Sequence, residues 1–233
     1  MAETIYTIPI NEAFDKYDGC PLCRLHRDLE NAALEYVMGA AMMEPDVRIR
    51  TNELGFCREH FDRMLEMKNR LGFALIMESH LEQIRSLLTV PESGGRKLFG
   101  SKKESQSPGD ALLSAAGSCF VCDRIKSFED KYISNIVHLW KSDSQFREKL
   151  KKQPEFCLYH SGRLMSEAGN SLSGEKCREF SEDVISVVSG HASALADDLS
   201  GFIKSFDHRF ASVPLTDAQR QSAERIAELL SGK

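Results

Sequence analysis

Cys20-Pro21-Leu22-Cys23 is followed by Cys57-Arg58-Glu59-His60, and Cys119-Phe120-Val121-Cys122 is followed by Cys157-Leu158-Tyr159-His160. Cys20 recurs as Cys119, an offset of 99, and Cys57 recurs as Cys157, an offset of 100. The flanks keep the same register: Arg48 falls on Arg147, Val47 on Phe146, Phe56 on Phe156 and Arg63 on Arg163. Four ligand-type residues returning in order at nearly constant spacing read as an internal duplication of about a hundred residues.

Outward from these motifs both copies read as helix. Pro21 suits a first helical position, and Leu25, Leu29, Ala32/Ala33, Tyr36 and Val37 recur at helical spacing until Gly39 and Pro45 interrupt them. Asp46 to Glu53 reads as a short helix ended by Gly55, and Cys57 opens a long one with Phe61, Met64, Leu65, Leu71, Leu75, Leu81, Ile84 and Leu88 on its apolar stripe. The second copy predicts a helix from Phe120 to Trp140, a short helix capped by Ser142 with Gln145, a break at Pro154 and a further helix from Cys157. Phe180 to Phe206 reads as one long helix, and Thr216 with Gln219 caps a last one. The apolar opening Ile5 to Ile10 is the one segment that reads as strand, with no obvious partner.

The expected architecture is therefore all-α: two related helical half-domains, each clipped by a Cys3His metal site, plus C-terminal helices. Residues 1–90 form the first repeat, 91–117 a flexible linker or loop with a basic cluster (Arg96, Lys97, Lys102, Lys103), 118–170 the second repeat, and 171–233 helices packing across both.

Composition bounds the function. The chain has 233 residues, 42% apolar and 28% charged, with a mean hydropathy of -0.33, the profile of a soluble helix-rich protein. A net charge of -5 and a pI near 5.8 argue against duplex nucleic acid as partner. The longest uncharged apolar stretch, Val184 to Ala196, is too short to span a bilayer, and MAETIYTIPINEAFD lacks a basic n-region and an h-region, so a cytoplasmic location is expected. Seven cysteines in a reducing compartment then point to metal or thiol chemistry rather than disulfides.

Positions i and i+3 share a helix face, so Cys57 and His60 can aim at one point, as can Cys157 and His160. The expected sites pair motifs within each copy: Cys20, Cys23, Cys57 and His60 in one, and Cys119, Cys122, Cys157 and His160 in the other. Three thiolates and an imidazole fill the tetrahedron that structural Zn2+ prefers, giving two Zn2+ per chain; a [4Fe-4S] cluster is the alternative and a redox dithiol a third reading. Other candidates read as packing: Cys177, His26, His80, His138 and His208 have no duplicated counterpart, Trp140 with Met38, Met42 and Met43 fits helix packing, although a Met-rich face also suits adaptable partner recognition, and His191 lies on an apolar stripe as a core histidine. No Gly-rich phosphate loop, G-x-S-x-G elbow or H-E-x-x-H is present, so the expectation leans away from an enzyme. It favours a non-enzymatic scaffold for a protein partner or a second copy of the chain, with an iron-sulfur or thiol-based redox protein as the alternative.

The opening Tyr6 to Phe14, then Gly19-Cys20-Pro21-Leu22-Cys23, Asp46-Val47-Arg48 and Gly55-Phe56-Cys57-Arg58-Glu59-His60, together resemble an uncharacterised prokaryotic family with CPxC and GFCxxH motifs. The resemblance covers residues 4 to 200 and is closest in the first copy; the second has Ser118, Phe120 and Glu155 where the first has Gly19, Pro21 and Gly55. All four ligand-type residues of the second copy are spared. The resemblance implies no activity.

Overall fold

Pro21 starts α2 (Pro21–Met38) and Phe120 starts α7 (Phe120–Ser142), the helices that head the two copies. The computed structural model describes residues 4–88, 107–210 and 212–232, and every regular element among them is helical. The others are α1 (Thr4–Phe14), α3 (Pro45–Leu54), α4 (Arg58–Glu66), α5 (Arg70–Leu87), α6 (Pro108–Gly117), α8 (Ser144–Lys151), α9 (Leu158–Ser171), α10 (Gly174–Lys204), α11 (Asp217–Arg220) and α12 (Ser222–Ser231). Short 3-10 turns cover Ala40–Met43 and His208–Phe210.

Local chemistry explains most boundaries, and several differ from expectation. Ile5 to Ile10 is part of α1 and not a strand: a lone strand has no edge to pair with, whereas a helix buries Ile10, Ala13 and Phe14 together. The helix from Cys57 is not continuous. It stops at Met67, Lys68 takes a left-handed conformation (φ 60°), and Asn69 caps α5 by accepting from the Gly72 N–H at 3.0 Å. Asp143 caps α8 in place of Ser142, accepting from the Gln145 and Phe146 N–H groups. Within the expected linker, Pro108–Gly117 forms α6, capped by Ser107; its basic cluster lies outside the described residues. The Thr216–Gln219 capping box is present, although α11 it opens is short and α12 follows.

The compact units do not coincide with the expected division at residues 90, 118 and 171. One comprises Met1–Asp28 with Phe128–Lys233, and the other Leu29–Ser127, so both boundaries fall inside α2 and α7. At about 1.5 Å per residue these helices are long enough for their two ends to belong to different cores. In the first unit Ile10, Phe14, Leu22 and Leu25 share a core with Ile133, Ile136, Trp140, Phe146, Phe156, Leu164 and Phe180. There α10 packs mainly on α8, α9, α11 and α12, and α12 also packs on α9. In the second, Leu34, Val37, Met38, Val47, Phe56, Met64 and Ile76 share a core with Phe120, Val121 and Ile125.

Candidate functional site

Cys157 and His160 meet Cys20 and Cys23, and Cys57 and His60 meet Cys119 and Cys122. The expected grouping within each copy is thus corrected: each C-x2-C pair is completed by the C-x2-H motif of the other copy. The reason is the path of the chain along α2. α2 begins in the unit of residues 1–28 and 128–233 and ends in the unit of residues 29–127, so His60 falls with Glu30 and with the start of α7, which supplies the two further thiols.

In the first cluster His160 Nδ1 lies 3.1 Å from Cys157 Sγ, 3.4 Å from Cys23 Sγ and 3.9 Å from Cys20 Sγ; Cys23 and Cys157 sulfurs are 3.6 Å apart. In the second His60 Nδ1 lies 3.0, 3.3 and 3.5 Å from the sulfurs of Cys57, Cys119 and Cys122, with Cys57 and Cys122 sulfurs 3.9 Å apart. Cys57 and Cys157 stand at the N-caps of α4 and α9, and Cys157 Sγ accepts from the His160 N–H at 3.4 Å. Helix N-termini favour negative sulfur.

Each imidazole turns Nδ1 to the thiols and Nε2 to a carboxylate. His160 donates from Nε2 to Glu129 Oε1 at 3.0 Å, and His60 donates to Glu30 Oε1 at 3.0 Å. Arg163 then donates to Glu129 Oε2 at 3.2 Å, while Arg63 pairs with Glu30. His26 donates to Glu129 Oε1 at 3.1 Å. These carboxylates are the residues that the sequence reading missed, and its treatment of His26 as plain packing is incomplete. Their signal was available: Glu30 and Glu129 are themselves 99 residues apart and Arg63 and Arg163 a hundred.

Electrostatics follows from this packing. Hydrogen bonds from Cys157 and Cys23, then burial, push the Cys20 thiol well above its usual range. Burial and the neighbouring Cys119 and Cys57 push Cys122 up strongly. Burial alone would lower His160, but Cys157, Cys23 and Glu129 raise it to about 11. Burial likewise would raise Glu129, yet His160 and His26 hold it far below the ordinary carboxylate range. Crowded thiols ionise together only against a cation, so both clusters are of a kind that can hold a metal ion.

The clusters differ in exposure. Cys20, Cys23, Cys157 and His160 are all buried, whereas in the other set Cys57 is half-buried and Cys122 exposed. Among the remaining candidates, His191 is a buried core histidine 2.9 Å from Glu155, and Trp140 is buried with its Nε1 donating to Asp183 at 2.9 Å. Cys177 packs half-buried against the first core.

Fold and site together define an all-helical protein with two Cys/His clusters suited to metal. The chain belongs to a family of unknown function, DUF6062, which matches residues 1–233. No curated protein and no solved structure matches it. No described helix is long and apolar enough to cross a membrane.

Proposed function

We propose that each cluster holds one structural Zn2+, through Cys20, Cys23, Cys157 and His160 in one and Cys57, His60, Cys119 and Cys122 in the other, and that the protein is a non-enzymatic helical scaffold. The observation that carries this reading is the spacing of the ligand atoms. A zinc tetrahedron with ordinary Zn–S and Zn–N bonds has S···S edges of about 3.8 Å and S···N edges of about 3.5 Å. The sulfur pairs at 3.6 and 3.9 Å and the S···N distances from 3.0 to 3.9 Å suit it with little movement. A [4Fe-4S] cluster fits less well, because its ligands bind separate irons and stand farther apart. A simple redox dithiol leaves the third cysteine and the histidine unexplained. Four protein ligands leave no open position for substrate, which favours a structural role over hydrolysis.

A scaffold presents surface to a protein partner, and the end of α10 with the turn that follows it supplies apolar surface. Its stripe is buried from Phe180 to Leu195, while Ile203 and Phe206 are 61% and 78% exposed. Metal analysis of protein purified without oxygen tests the central reading: two zincs per chain support it, and iron with sulfide, or no metal, overturns it. Light scattering at high micromolar concentration separates a second copy of the chain from a different protein partner.

A further inference from the structure

We propose that the cluster of Cys57, His60, Cys119 and Cys122 is a peroxide-reactive site at which Cys122 and Cys57 form a disulfide and release the metal, while the other cluster stays closed. The proposal rests on the zinc reading above and adds a chemistry to one of its two sites.

Access differs between two otherwise matching sets of ligands. Cys20, Cys23 and Cys157 are 7%, 7% and 3% exposed. The C-terminal turn of α12 adds cover: a Cβ at Gly232 would stand 2.9 Å from Cys157 Sγ and 3.2 Å from Tyr159 Cβ, which leaves no space for a reagent on that side. Cys122 has the opposite setting. It lies in the first turn of α7 beside the solvent-exposed Asp123, and is itself exposed, while Cys57 is half-buried. A zinc-bound thiolate remains a nucleophile, so access decides which one an oxidant reaches.

The oxidant is a hydroperoxide, with hydrogen peroxide the simplest. The Cys122 sulfur attacks the near peroxide oxygen, the O–O bond breaks, and hydroxide leaves as Cys122 becomes a sulfenic acid. Cys57, whose sulfur is 3.9 Å away, attacks that sulfur and displaces a second hydroxide, closing the S–S bond. Two thiolates lose two electrons in all, one peroxide becomes two hydroxides, and the metal loses two ligands and departs.

The test exposes the full zinc-loaded chain to hydrogen peroxide while a chromogenic chelator follows metal release and mass spectrometry maps the cysteines. The expected result is release of half the zinc at least about tenfold faster than the rest, with a Cys57–Cys122 disulfide and Cys20, Cys23 and Cys157 still reduced. In Cys122→His, which removes the exposed sulfur, the zinc still bound before peroxide is added should leave without the fast phase. Release of both zincs together, a Cys119–Cys122 or Cys20–Cys23 disulfide as first product, or an unchanged fast phase in Cys122→His overturns the proposal. A chain holding no zinc before peroxide is added would instead overturn the zinc reading on which it rests.

Discussion

Glu129 Oε1 accepts from His160 Nε2 at 3.0 Å, from a helix whose first turn carries Cys122, a member of the other cluster. Glu30 stands in the same relation to His60, on the helix whose first turn carries Cys23. Each C-x2-C helix therefore serves both clusters: thiols at its start for one, and a carboxylate two turns on that fixes the histidine of the other. Such a carboxylate sets the tautomer and orientation of a ligating imidazole.

Glu129→Gln should weaken metal binding at the Cys20/Cys23/Cys157/His160 cluster by about 10- to 100-fold and leave the other near its parent affinity. Glu30→Gln should do the reverse. Competition with a chelator, with alkylation showing which cysteines are freed, measures both; equal loss at both clusters in either variant would contradict the assignment.

The crossed pairing makes a prediction that the grouping within copies does not. Cys20→Ser combined with Cys157→Ser damages one cluster and should leave one zinc per chain, whereas Cys20→Ser with Cys57→Ser damages both and should leave none tightly held. Native mass spectrometry counts the metals directly. The opposite pattern would restore the grouping within each copy.

Gly232 ends α12 at φ 68°, ψ 150°, a region nearly closed to residues with a Cβ, and lies over Cys157. Gly232→Ala should cost about 1–3 kcal/mol in stability or detach the turn. In the second case Cys157 becomes open to alkylation. A thermal melt paired with an alkylation time course distinguishes the two, and no change in either would show that the turn does not cover the site.

Lys68 holds a left-handed conformation between α4 and α5, costly for a residue with a Cβ. Lys68→Gly should raise stability by about 0.5–1 kcal/mol by chemical denaturation. If α4 and α5 were one continuous helix, glycine there would instead destabilise by a similar amount.

The amino-acid chain alone makes legible the helical class and the eight Cys and His residues that gather into two clusters. It does so because ligand spacing, the Pro21 start and the apolar periodicity of α2, α7 and α10 are local properties carried on single segments. It also contained Glu30 and Glu129 in register, but a carboxylate on a helix face means little until the Nε2 of a histidine is known to point at it. The apolar stripe read through Phe61, Met64, Leu65, Leu71 and Leu75 concealed the break at Lys68; beyond it Leu71 is 71% exposed, and Phe73, Ile76 and Met77 join Phe61 and Met64 at the core instead. Which motifs meet is set by packing. Cys20 and Cys23 make the same Cys3His set with either C-x2-H motif, so ligand chemistry cannot choose between them. The choice falls to which core each motif joins: α2 and α7 each begin with one core and end with the other, and each thiol pair closes on the C-x2-H motif that shares its core.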